Sequence, residues 1–355
     1  MKFEQQNIFQ LWVLCILTII LSMLYIIDDL NFLWLFRAIT NYTIVFFVWS
    51  FSINIHSKYK PIKHYITASW IYNIYAVFQI YDLNFLDWAS PNRTTISRGH
   101  TSLAAEPTYY AIIIFFISWL IFNNIYKNKN ISISSIKDKY NFLALSTIGA
   151  NILSIFFLAK STTVILMILV LLNLSIFFFM SKTFLKYLII FATFISIITY
   201  LNYNNLSETR PLMIISQMAN LGFSSLYLIV YTDMSINGRV AQVIIPYIGL
   251  IENYGLPGGY FTFENISSKI VGPDNFFHSH TGITHKIQSF IGVFIYELGA
   301  LGALILFFMG MILKNENNWK WREIIILFFL LIPSIPLGMG LVPLLFGSKI
   351  KPKEN

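Results

Sequence analysis

The chain has 355 residues, 56% of them hydrophobic and 11% charged, with a net charge of +8 and a mean hydropathy of +0.66. A soluble domain of this size carries about 25% charged residues, so the composition argues against a soluble fold and for one integral membrane domain over 1–355. The single cysteine, Cys15, lies in an apolar run and excludes an internal disulfide and any Cys-based zinc site.

A bilayer core about 30 Å thick needs roughly 20 apolar residues as helix. Runs of that kind fall near 8–27, 30–55, 64–81, 108–126, 140–159, 163–180, 184–201 and 287–313. A last run, 324–346, is interrupted by Pro333, Pro336 and Pro343. The expectation is an all-α polytopic membrane protein of about nine or ten helices. Ile26-Ile27-Asp28-Asp29 is not a small-residue cleavage site, so the first run is expected to remain as a span.

The connections alternate in charge. Twelve of the eighteen lysines, with Arg322, fall at the N-terminus or in connections two, four, six and eight. By the positive-inside rule that side is cytoplasmic, and the basic excess reflects topology rather than a nucleic-acid surface. The other side holds a first outer loop (82–107), a tight turn at 160–162 and a large outer loop (202–286). The proline-broken last run, read as a short hairpin, would return the basic tail to the cytoplasm.

In the first outer loop, Ser97-Arg98-Gly99-His100 precedes Ala105-Glu106-Pro107-Thr108-Tyr109-Tyr110. Pro107 suits a first helical turn and Glu106 suits its positive end. The alternative is that Arg98 and Glu106 flank a polar site. In the large loop, Arg210-Pro211 opens an apolar run over 211–231. Asn237-Gly238-Arg239 opens another over 239–251, which reads as an amphipathic or interfacial helix. Tyr254-Gly255-Leu256-Pro257-Gly258-Gly259 is a turn-rich loop. His278, His280 and His285 then precede the eighth run.

Arginine and lysine are placed oppositely. Arg93, Arg98, Arg210 and Arg239 lie outside, among ten outer acids, and Arg37 lies within the second span. Arginine's planar fork matches phosphate oxygens, which points to an anionic ligand at the outer face. Pairing with the outer acids is the structural alternative. Arg37 is near enough to the outer end to snorkel, whereas Glu297 is about ten residues deep, where a charge usually faces a cavity or a partner. An Arg37–Glu297 ion pair is one possible pairing. A histidine near neutrality suits proton transfer from a sugar hydroxyl. The His-x-His spacing at 278 and 280 admits a metal reading, but only Asp274 lies close.

The order of these pieces resembles the bacterial oligosaccharide repeat-unit polymerases, the Wzy type of O-antigen and capsule pathways. Arg98-Gly99 with Glu106-Pro107-Thr108-Tyr109-Tyr110 is similar to their Glu-Pro-Ser signature, with Thr108 where serine is common. Leu158-Ala159-Lys160-Ser161-Thr162-Thr163 is similar to their Ser-rich turn. Gly238-Arg239 followed by Gly255 to Gly259 resembles an Arg-then-Gly-rich layout shared with O-antigen ligases. Ser289-Phe290-Ile291-Gly292 to Tyr296-Glu297-Leu298-Gly299 is similar to the helix after their large loop.

The resemblance implies a glycosyltransferase C-like fold and polymerisation of undecaprenyl-diphosphate-linked repeat units, without metal or cofactor. The site would face the exterior of a bacterial cytoplasmic membrane. Partners would be donor and acceptor lipid-linked glycans, membrane lipid, a chain-length regulator and a flippase, with no nucleic acid. Arg98, Arg239, Arg210, Arg93, Arg37 and Tyr109 would bind diphosphate and glycan. Glu106, His278 or His280 would serve as base or orient the acceptor. A ligase of the same superfamily and a lipid-linked sugar flippase are the competing readings.

Overall fold

The computed structural model describes residues 2–23, 32–59, 61–82, 84–85, 99–126, 139–161, 163–165, 167–168, 171, 224–260, 262–272, 274–278, 287–315, 317–333 and 335–350. The expected span 184–201, most of 163–180, and residues Arg93, Arg98, Arg210, His280 and His285 lie outside them. The described residues are all-α. The single extended pairing among them is an isolated bridge between Val271 and Phe277. Among the described residues, two stretches are long and apolar enough to cross a membrane, Pro107–Ile125 and Asn141–Ala159.

The chain divides into two compact units, one of residues 60–223 and one of residues 1–59 with 224–355. In the first, α3 (Ile62–Tyr81), α4 (Pro107–Tyr126) and α5 (Lys139–Ser154) pack together, and α5 runs into a single π-helical turn, Ile155–Ala159. Helix α4 is apolar on nearly every face and is the core of this unit, burying Tyr110, Ile112, Ile114, Phe116, Leu120 and Ile121.

Polar side chains tie the three helices. Ser69 Oγ and Asn73 Nδ2 both donate to Asn151 Oδ1, at 2.5 and 2.8 Å. Asn151 Nδ2 donates to Ser118 Oγ and Tyr110 OH to Asn73 Oδ1, both at 2.8 Å. Sequence reading finds few polar residues inside the spans. The structure gathers them at one place, buried and bonded to each other. Their role here is to join helices, since each leaves its partner unsatisfied if removed.

The other unit contains α1 (Lys2–Met23), α2 (Phe32–Lys58), α6 (Ser224–Thr232), α7 (Met234–Glu252), α8 (Phe263–Ile270), α9 (Phe290–Glu297), α10 (Gly299–Asn315), α11 (Trp321–Leu330) and α12 (Leu341–Phe346). Helix α2 buries Tyr42, Val45, Phe46, Trp49, Ser52, Ile53 and His56, a stripe at helical spacing. Trp49 meets Phe346 of α12 edge-on at 5.0 Å, and Ser52 Oγ donates to Leu344 O at 2.5 Å.

Two expected spans are broken. The run 287–313 forms α9 and α10 rather than one helix. Residues 287–289 are not helical, and Ser289 caps α9 by accepting from Gly292 N at 2.9 Å. The break falls at Leu298-Gly299, where Gly299 has φ +62°. A Cβ there would lie 2.6 Å from Gly255 O and from the backbone of Leu256 and Pro257. The run 324–346 is also divided. Helices α11 and α12 have 10 and 6 residues, about 15 and 9 Å long at 1.5 Å per residue. The prolines remove donors between and within them.

The return segment is anchored by side chains. Asn317 Nδ2 and Trp319 Nε1 both donate to Phe346 O, at 3.1 and 2.9 Å. Glu323 accepts from Lys320 N at 2.9 Å and pairs with Lys349 Nζ at 2.6 Å. The Lys349 ammonium also sits 4.7 Å over the Trp319 ring. Burial holds the Lys349 amine below its ordinary range, although Glu323 pulls the other way.

Helices α1, α3 and α10 leave large apolar side chains uncovered. These include Phe9, Trp12 and Ile16 on α1, Trp70, Ile74 and Val77 on α3, and Leu304, Phe307 and Phe308 on α10.

Gly299→Ala is expected to lower stability by roughly 1–3 kcal/mol, from left-handed strain and the clash with 255–257. Gly149→Ala, in open space within α5, is expected to gain about 0.5–1 kcal/mol. Thermal unfolding of the two variants in detergent checks the contrast. Glu323→Gln, which leaves Lys349 without its carboxylate, is expected to cost about 1–3 kcal/mol in the same measurement.

Candidate functional site

The segment from α7 to α9 builds a small core. Ala241 and Ile245 of α7, Phe263 and Ile266 of α8, Val271, Phe277 and Tyr296 bury one another. Helix α7 begins earlier than the expected 239–251. Asp233 caps it, its Oδ1 accepting from Ile236 N at 3.0 Å. The buried stripe is Asn237, Ala241, Gln242, Ile245, Pro246 and Gly249. An apolar stripe of this kind reads equally as interfacial or as core. Here it packs on α9 and α8, so protein covers it.

The Gly-rich loop after α7 is stitched to the α9–α10 break. Gly258 N donates to Tyr296 O at 2.8 Å, Gly259 N to Glu297 O at 3.1 Å and Ala300 N to Gly255 O at 2.9 Å. The Tyr296 ring occupies the space a side chain would need at two glycines. A Cβ at Gly249 or Gly258 would stand 2.6 or 2.7 Å from it. Tyr296 OH meets Thr262 Oγ1 at 3.0 Å. Burying a ring of this size is worth roughly 2–3 kcal/mol. The two segments 254–259 and 296–299, 37 or more residues apart in sequence, are thus one structural piece.

The polar members of the α7 stripe position the chain before α9. Asn237 Nδ2 donates to Phe276 O at 2.8 Å, and Asn237 Oδ1 accepts from His278 N at 3.1 Å. Gln242 Oε1 accepts from Gln288 N at 2.9 Å. His278 is half-buried beside the Tyr231 ring, at 5.0 Å between centroids. Its Nδ1 lies 3.3 Å from Phe276 O. A carbonyl only accepts, so this contact places the neutral ring's proton on Nδ1. Nε2 is then the basic nitrogen. Arg239, two residues beyond Asn237, lies off the buried stripe, roughly 200° around the helix, and is half-buried. Asn237 and Gln242 were not singled out by sequence reading. Gln242 lay inside the expected helix 239–251 and Asn237 two residues before it, and only the earlier start of α7 puts both on the buried stripe.

Arg37 is exposed on α2. Glu297 is 7% exposed, and its partner is not Arg37: Tyr42 OH donates to Glu297 Oε2 at 2.5 Å. The hydroxyl satisfies the carboxylate from the neighbouring face of α2, so the suggested Arg37–Glu297 ion pair does not form. Asn41 Nδ2 donates to Tyr260 OH at 3.2 Å. Burial and the Glu297 charge push the Tyr260 phenol up to about 12, with Asn41 and Arg37 pulling down.

In the other unit, Glu106 is the residue before α4, and its carbonyl accepts from Tyr110 N at 3.1 Å. Glu106 and Tyr109 are half-buried in that first turn. Gly99, with φ +96°, lies against Ala159 O, and His100 N donates to Leu158 O at 2.8 Å. The first outer loop therefore docks on the turn at 158–161. Burial, helped by the Lys160 charge, holds the His100 imidazole below its ordinary 6.5.

Arg239, His278 and Arg37 thus belong to one unit, and Glu106 and Tyr109 to the other. Comparison with protein-family models, curated proteins and solved structures found no match to this chain.

Asn237→Ala removes the two side-chain bonds to Phe276 O and His278 N. It is expected to cost about 1–3 kcal/mol and to speed amide exchange at His278 selectively, as read by hydrogen–deuterium exchange. The depressed His100 means the folded state resists its protonation. That contribution is full above pH about 6.5 and is lost as pH falls from there through the folded value. Lys160→Gly should move the His100 NMR titration upward; an unchanged midpoint would refute the coupling.

Proposed function

We propose that this protein is an integral membrane glycosyltransferase that joins undecaprenyl-diphosphate-linked oligosaccharide repeat units into a surface polysaccharide. It would act at the outer face of a bacterial cytoplasmic membrane, without metal or cofactor. The observation that carries the reading is the joining of 254–259 to 296–299, with His278 and Arg239 held by the same helix, α7. Gly238-Arg239, the 254–259 turn and the 296–299 segment are pieces whose order in the chain resembles the repeat-unit polymerases, while a histidine before a late span is the feature that matches the competing ligase reading. The uncovered apolar faces of α1, α3 and α10 support a lipid environment, since soluble monomers rarely leave such patches open.

In this reading a hydroxyl of the acceptor repeat unit attacks the donor's anomeric carbon. The bond from that carbon to the diphosphate oxygen breaks, and undecaprenyl diphosphate leaves. His278 Nε2 takes the hydroxyl proton. Arg239, with Arg98, Arg93, Arg210 and Arg37 as further candidates, stabilises the charge that develops on the leaving diphosphate. Glu106 and His280 remain candidates for orienting the acceptor, and Tyr109 for contacting glycan. The buried Ser69–Asn73–Asn151 cluster is satisfied internally, which favours an enzyme over a flippase with a polar path.

The test is complementation of a deletion strain, with polysaccharide length read on gels. Arg239→Ala and Arg98→Ala should each abolish long polymer and leave single lipid-linked units. His278→Ala should slow polymer formation by roughly 10²–10⁴-fold. Normal chain length in both arginine variants would overturn the diphosphate assignment. Full-length lipid-linked polymer accumulating in the deletion strain would mark a ligase, and units trapped on the cytoplasmic leaflet a flippase.

A further inference from the structure

The turn that receives the first outer loop holds polar groups that the proposed reaction does not use. Ser161 is 4% exposed, and its Oγ is buried without a hydrogen-bond partner. His100 Nδ1 is likewise buried and unpartnered. Native proteins satisfy nearly all buried polar side-chain atoms, so two orphans at one place call for an absent partner. The place is the same because His100 N is bonded to Leu158 O, three residues before Ser161, and Gly99 rests on Ala159 O.

The chemistry of the missing partner follows from the groups. A hydroxyl donates, and an imidazole nitrogen donates when it carries the ring proton. Lys160 directly precedes Ser161, and its charge acts on His100. Ala159 ends the π-helical turn and Lys160 is left-handed, with φ 47° and ψ 35°. A water would satisfy the two orphans but gains nothing from the cation. An oxyanion uses the donors and the charge together.

We propose that His100, Lys160 and Ser161 form a binding site for a phosphate-class oxyanion. The anion is inorganic phosphate or diphosphate, or the diphosphate of a lipid-linked glycan. The last source alone rests on the function proposed above.

The test uses the full chain in lipid nanodiscs and two variants chosen to preserve the fold. Lys160→Gly removes the charge, and glycine accepts φ 47° without strain. Ser161→Ala removes a buried hydroxyl that no protein group bonds. Binding of inorganic pyrophosphate is measured by calorimetry, beside the melting temperature. Saturable binding in the wild type, weakened roughly tenfold or more in Lys160→Gly and detectably in Ser161→Ala, with melting temperatures retained, is the expected result. Equal affinity in all three proteins, or no saturable binding, overturns the site and leaves a buried water as the occupant.

A polyprenyl diphosphate supplied in the nanodisc then separates the sources. Displacement of pyrophosphate by the lipid supports the site with a lipid-linked ligand, and no displacement supports it with a soluble one. A normal polysaccharide ladder in the arginine variants would overturn the polymerase arginine assignment without altering this binding result.

Discussion

The Tyr296 ring can be seated only where the backbone on either side carries no side chain. Gly249 on α7 and Gly258 in the following loop provide those surfaces. Once the ring is in place, the backbone after it must turn to meet the Gly255–Pro257 segment, and Gly299 supplies the positive φ that does so. The break between α9 and α10 is therefore the consequence of packing a large aromatic against glycines. The loop, the break and α7 form a rigid corner from which Asn237 and Gln242 reach the preceding chain.

That corner explains how the long segment between α6 and α9 acquires order. Its small core supplies burial, and the two amides satisfy backbone groups that an apolar helix face would leave open. His278 gains a defined tautomer from the same arrangement, because its Nδ1 faces a carbonyl already held by Asn237. The other unit achieves order differently, through an Asn–Ser–Tyr cluster between three helices. There the polar residues meet each other rather than the chain outside.

Several features were legible from residue order alone. Helices α2, α3 and α4 start and end within a few residues of their apolar runs, because run length, flanking lysines and Pro107 mark them locally. The Pro107 start is a local property too. Glu106 at that position is consistent with a helix start, as its half-buried placement and the Glu106 carbonyl bond indicate. The partner of Glu297 was not legible. Arg37 and Tyr42 are both on α2, and charge favours the arginine on paper. Helix phase decides otherwise, because it turns Tyr42 inward and leaves Arg37 exposed.

The sequence by itself determined the apolar runs at helical length and the all-α class that the described residues show. Those properties are sums over local windows, and no tertiary contact can change them. Only the tertiary structure decided which motifs meet. It divided two apparently continuous spans, turned the stripe of α7 onto protein, and brought Gly99 and His100 onto the 158–161 turn. The reason is that each of these depends on the shape of a distant segment. A ring needs two glycines 9 residues apart, and a buried donor needs an acceptor that lies near it only after folding.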